Sequence, residues 1–361
     1  MKQLVVALGG FALAACSAVI GVDERHAGTP DAGAPAEETP PSDPGATDGG
    51  SPAPDSGDAA APLKAETLGT YVDPTLSLGE TELLVLDRAS GRSKIVLISK
   101  ATPNAPQTLY DELGDTADKR VSSIALARGK VWFTTVDGKL HKMGLDGKNP
   151  TIVDAPSSNI LARSANTVWL ISPDYTSNAP TLRWVNQDLL SLVPEAQLAM
   201  GGPAMFAEGT DDELMVSSRT SGGQWTLSRW RPFATTPFVT FATFDAYPSW
   251  VTADTTRAIV YQQDEGNIVS WSRTTPQPTP DVVLAGVSEA VQIKSDGTNL
   301  VLRSQSSIKS CVITSCAGTM RTLAPPTSFA KARYLQIDAQ YAYFFYAKTS
   351  TDTMTLARVP R

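Results

Sequence analysis

The sequence predicts an all-β chain: a β-propeller of seven four-stranded blades (six and eight are the adjoining counts) behind a signal peptide and a disordered linker. Three observations carry the fold. Residues 121–153 hold four short apolar runs separated by three Gly-bearing turns at Gly129, Gly138 and Gly147, the pattern of a four-stranded antiparallel meander. Apolar anchors then recur at Leu84, Val131, Val168, Leu214, Ile259, Leu300 and Tyr343, at intervals of 47, 37, 46, 45, 41 and 43 residues. A steady period near 40 to 45 with four strands per unit is the propeller pattern. No long window shows the apolar spacing of three and four that helical repeats need. A pair of β-sandwiches is the competing architecture and gives no reason for the period.

In chain order, Met1-Lys2-Gln3 is a short basic lead into the apolar run Leu4 to Leu13. Ten residues rise only ~15 Å as a helix, against a bilayer core of ~30 Å. The run therefore reads as the hydrophobic region of a signal peptide, not as a membrane span. Leu13-Ala14-Ala15-Cys16 resembles the bacterial lipobox, which implies removal of residues 1–15 and diacylation of Cys16. The bland alternative is an ordinary signal peptide with an incidental cysteine. Ser17 in place of aspartate, by resemblance to the enteric sorting rule, implies the outer membrane, at its periplasmic face or at the cell surface.

The tether occupies residues 16–62. From 23 to 62 it carries eight Pro, six Gly and nine Ala, no aromatic residue, and no Val, Ile, Leu or Met. It has nothing to bury that would offset the entropy of ordering it. His26, near its start, reads as simply solvated.

Residues 63–361 remain for folding. Setting aside Lys2, Arg25 and the nine tether carboxylates leaves 28 basic and 28 acidic residues in that domain. A neutral domain argues against nucleic acid as a partner, since affinity there comes largely from a basic face neutralising phosphates. The membrane contact expected is the lipid anchor alone. Ala65-Glu66-Thr67-Leu68 precedes the first unit, and the last unit supplies three strands before Arg361. The early segment is therefore expected to complete the last blade and remove an exposed edge.

Cys311 and Cys316 close the short loop Cys311-Val-Ile-Thr-Ser-Cys316, and in an oxidising envelope they are expected to pair. Their spacing is not the Cys-x-x-Cys that tunes thiolate chemistry. With His141 as the one histidine of the domain, a structural zinc site lacks ligands. No metal and no cofactor are expected.

The unit Val131-Trp132-Phe133-Thr134, Asp137-Gly138-Lys139-Leu140, Leu145-Asp146-Gly147 resembles the YWTD-type repeat and the TolB-like propellers of bacterial envelopes. Cys311 and Cys316 with Ile337-Asp338 and Tyr341-Ala342-Tyr343-Phe344 resemble the cysteine-bearing blades of bacterial propeller lipoproteins. These resemblances imply a fold and a compartment, and no particular ligand.

No catalytic set stands out. His141 reads as a surface or edge residue, and no Gly-x-Ser-x-Gly turn accompanies it. Asp211-Asp212-Glu213 lacks the alternating oxygen ligands of a calcium loop and is expected to be a solvated turn, as is Asp264-Glu265-Gly266. Paired carboxylates for glycan cleavage are not fixed by sequence. The candidate ligand face lies where the chain runs into the inner strands: Tyr247 and Trp250, with Arg163, Glu289, Arg333 and Tyr334 at comparable positions. The bland reading of Tyr247 and Trp250 is that they cap the core. The function expected is a non-catalytic envelope lipoprotein, a binding or scaffold module for an envelope protein or saccharide. The alternative is a glycan-directed hydrolase or lyase using carboxylate, Tyr and Arg groups at the channel. Propellers host both kinds of function.

Overall fold

The structure, a computed structural model, describes residues 64–111, 119–127, 129–155, 159–163, 167–172, 181–186, 193–197, 204–207, 213–220, 222–231, 238–273, 279–288, 292–305, 307–324, 331–349 and 353–361. The leader, Cys16 and the tether lie outside these residues. Those described form seven four-stranded antiparallel sheets. Six are consecutive meanders, numbered here blades 1 to 6, whose inner strands are Thr75–Leu78, Val121–Ala127, Asn159–Arg163, Ala204–Ala207, Pro248–Ala253 and Gln292–Ser295. The seventh runs Lys331–Ile337, Tyr341–Ala347, Thr353–Pro360 and takes Glu66–Val72 as its outermost strand. Each inner strand touches the inner strand of the next blade, and that of blade 7 touches that of blade 1. The ring is closed, which is a propeller.

Every anchor of the sequence period falls in a second strand: Glu82–Asp87, Lys130–Thr135, Thr167–Ser172, Leu214–Arg219, Arg257–Gln262, Asn299–Arg303 and Tyr341–Ala347. These are near-continuous apolar runs because neighbouring blades cover both faces of each sheet. Side chains alternate across a strand, so odd and even residues feed different interfaces. In blade 1, Leu83 and Val85 pack with Tyr343 and Phe345 of blade 7. Leu84 and Leu86 pack with Val131 and Phe133 of blade 2. In blade 5, Ala258 and Val260 face blade 4 while Ile259 and Tyr261 face blade 6. A β-sandwich would leave one face of each such strand unused.

The closing strand forms as the sequence requires, longer than the four residues expected of it. It runs Glu66–Val72 in antiparallel register with Thr353–Pro360, and Arg358 Nε binds Glu66 Oε2 at 2.7 Å across the seam. In blade 6 the disulfide forms, with a Cα–Cα distance of 4.8 Å. It links the end of Ile308–Val312 to the single helical turn Cys316–Thr319, ahead of the outer strand Arg321–Ala324. Gly266 turns between the second and third strands of blade 5 at φ +64. Its carbonyl accepts Val287 N at 2.7 Å, and an added Cβ would stand 3.1 Å from Val287 O, so a side chain there would be strained at its positive φ and crowded against Val287.

Candidate functional site

In an antiparallel meander, the start of the inner strand and the turn between the second and third strands lie at one end. We call this end the upper face. Four of the inner strands bulge near their start, between Val121 and Ser123, Ile160 and Ala162, Pro248 and Trp250, and Arg333 and Gln336. A bulge inserts a residue and re-aims the side chains beside it. The bulges thus fall where the sequence placed the candidate ligand face.

Tyr247 and Trp250 both pack against the core. Tyr247 meets Trp225 edge-on at 5.4 Å, and Trp250, half-buried, packs on the cluster shared by blades 5 and 6. Arg333 and Tyr334 sit together in the bulge of blade 7. Tyr334 holds φ at +54, a left-handed conformation that a bulky residue rarely adopts, and its ring stands edge-on to Phe345 at 6.3 Å. Arg333 Nη1 reaches Asp73 Oδ1 at 3.5 Å, and Arg88 Nη1 reaches the other oxygen of the same carboxylate at 3.7 Å. Glu289 lies outside the described residues, and Arg163 corrects the expectation: it ends the inner strand of blade 3, opposite Val168, at the far end from the strand entry.

Sequence reading missed a further charged residue of this face. Arg303 ends the second strand of blade 6, directly opposite Gln292, and is only 8% exposed. Its Nε donates to Gln292 Oε1 at 3.2 Å and its Nη1 to Ala332 O in blade 7. Gln292 is itself braced: Oε1 accepts Leu335 N at 2.8 Å and Nε2 donates to Leu335 O at 3.0 Å. Burial pulls the Arg303 pKa down to about 10, the charge of Arg333 pushes the same way, and Tyr334 opposes. Arg303 ends an apolar run that reads as core, so its pattern carried no signal. Its proximity to Arg333, thirty residues on, appears only on folding.

The opposite face carries a different device. Asp254, Asp296 and Asp338 follow the inner strands of blades 5 to 7. Each caps the turn with Oδ1, taking the amides two and three residues on. Their Oδ2 atoms accept from Ser295, Arg361 and Lys100 of the next blade round the ring. Glu213 corrects the expectation of a solvated turn. It is 2% exposed, bonded to Arg231 Nε at 2.6 Å and to Arg273 Nη2 of blade 5. Asp211 and Asp212 lie outside the described residues. Asp264 stays in an exposed turn, as expected.

His141 lies in the third strand of blade 2, stacked on Phe133 at 4.4 Å, with Nε2 3.2 Å from Thr135 Oγ1. Burial holds its pKa below the ordinary value. Among the described residues no group of three His, Cys, Asp or Glu side chains could hold a metal ion.

Ring closure, four-stranded blades and a polar upper face define the chain as a β-propeller. It is similar in fold to a streptogramin B lyase (TM-score 0.58, 13% identity, covering 82% of this chain and 96% of that one). The WD40 domain of Neurospora crassa Pan2 gives 0.55, with 8% identity, 82% and 96%. Oligogalacturonate lyase from Vibrio parahaemolyticus gives 0.56, with 10% identity, 84% and 95%. At such identities the likeness shows the fold alone. No family model matches the chain, and no curated protein matches it in sequence.

Proposed function

We propose that the chain is a non-catalytic cell-envelope lipoprotein, its propeller acting as a binding or scaffold module on a flexible tether anchored through Cys16. The finer family reading, a bacterial propeller lipoprotein with YWTD-type or TolB-like repeats, belongs to the same proposal. So does placement at the outer membrane. The lipobox-like leader, the Pro/Ala/Gly tether and the neutral domain support the compartment. The observation that carries the binding reading is the upper face of blades 6, 7 and 1, where Arg333 and Arg88 share the Asp73 carboxylate, Tyr334 stands next to Arg333, and Arg303 lies close enough to Arg333 to feel its charge. Clustered cationic and aromatic groups suit capture of a ligand.

A second reading, a glycan-directed hydrolase or lyase, draws support from the lyases among the propellers of similar fold and from the Arg and Tyr groups on this face. Crosslinked pull-down from envelope extract, with the full chain as bait, tests the first. Replacing Tyr247, Trp250 and Tyr334 by Ala is expected to abolish capture of the partner. Equal recovery by the variant sinks the site assignment, and turnover of a glycan by the wild-type chain moves the function to the second reading.

A further inference from the structure

We infer that the upper face at blades 6 and 7 receives the carboxylate of an acidic saccharide, with Arg303 as the central donor. This deepens the binding-module reading and rests on it.

A guanidinium offers five N–H donors. Arg303 engages two acceptors, Gln292 Oε1 and Ala332 O, and both are neutral. No described carboxylate pairs with it. A buried charge is costly unless paired, and nothing in the described chain supplies the pair. Instead a second cation, Arg333, is close enough to act on it, while Asp73 is already shared by Arg333 and Arg88. An anion bound from outside would supply the pair that the described residues lack.

Two features narrow its chemistry. The flat guanidinium fork matches a carboxylate in a bidentate pair, and the brace of Gln292 on Leu335 fixes the plane of that fork, which makes Gln292 a positioning residue. Beside it the fold holds Tyr334 in a strained left-handed bulge, and strain of this kind persists where the surroundings over-determine it, commonly at ligand sites. Tyr334 is a half-buried ring at the rim of the core, the kind of surface that stacks on a sugar ring.

The test is calorimetric titration of the full chain in neutral detergent with trigalacturonate, against maltotriose as neutral analogue and sodium sulfate at matched ionic strength. Wild type is expected to bind trigalacturonate saturably and to melt at a higher temperature in its presence, with no response to maltotriose. Arg303→Met should weaken binding by about tenfold or more, and Arg303→Lys, which keeps charge but not the fork, by less. Indifference of the wild type to trigalacturonate, undiminished binding by Arg303→Met, or equal stabilisation by sulfate would each overturn the inference. Should both Arg303 variants fail to fold, the three ligand arms on the wild type decide it alone. Failure here with pull-down still lost in the triple alanine variant removes the saccharide and leaves the binding module standing.

Discussion

Lys100 of blade 1 donates to Asp338 of blade 7 at 2.8 Å, joining residues 238 apart in sequence across the gap where the ring closes. The same carboxylate caps its own turn through the amides of Gln340 and Tyr341 and accepts Tyr343 OH at 2.9 Å. Arg361 repeats the clasp from blade 7 to Asp296 in blade 6, and Arg273 repeats it from blade 5 to Glu213 in blade 4. A cation past the third strand of one blade therefore grips an acid ahead of the second strand of its neighbour.

Burial works to raise the pKa of Asp338, yet hydrogen bonds from Lys100, the two amides and Tyr343 outweigh it and hold the carboxyl below 3.8. With the native value depressed, the unfolded chain takes up its proton first as pH falls. The stability this confers is complete above the unfolded pKa of about 4 and is lost as pH falls through the native value. Asp338→Asn should lower unfolding stability at pH 7 by about 1–2 kcal/mol and flatten the acid limb of a urea-midpoint profile. A variant with the wild-type acid slope would contradict the clasp.

Glu213 presents the buried version of the pair. Its side chain is 3% exposed, that of Arg273 8% and that of Arg231 51%. Breaking a buried pair costs about 3–5 kcal/mol, and an exposed one about 1 kcal/mol or less. Glu213→Gln is therefore expected to be severely destabilising in chemical denaturation, and Arg231→Ala nearly silent. Similar losses for both would mean that the partners contribute equally, against their burial.

The disulfide closes a loop with a sequence separation of only 5. Loop-closure entropy for so short a span gives about 2 kcal/mol. Replacing Cys311 and Cys316 together by Ser should lower stability by about that amount, with β-content by circular dichroism unchanged. Collapse of the β-signal would assign the bridge a larger part in the fold than loop closure allows.

The fold was legible where burial is two-sided. Val131-Trp132-Phe133 and Tyr343-Phe344-Phe345 stand out in the sequence because every position in such a strand is covered by one neighbouring blade or the other. First and fourth strands were fainter. The outer strand of blade 2, Thr151–Asp154, buries none of its four residues, so its pattern is barely constrained. Several inner strands, such as Thr75–Leu78, Ala204–Ala207 and Gln292–Ser295, are only four residues long, which leaves little pattern to read. Of the candidate site, Arg333 and Tyr334 were found by their position ahead of an inner strand, the position their bulge occupies.

Sequence alone determined the ladder of second strands, the closing segment and the cysteine pair, because each follows from local chemistry: apolar runs, turn residues, a short loop. Only the tertiary structure decided which charges meet. Glu213 looks like part of a solvated acidic turn and is buried between two arginines, and Arg303 looks like the end of a core strand and carries a buried cation with no counter-ion among the described residues. Lys100 finds Asp338 only when blade 1 comes round to blade 7. A charge takes its partner from whatever the closed ring sets within a few ångströms of it, and that distance is written nowhere along the chain.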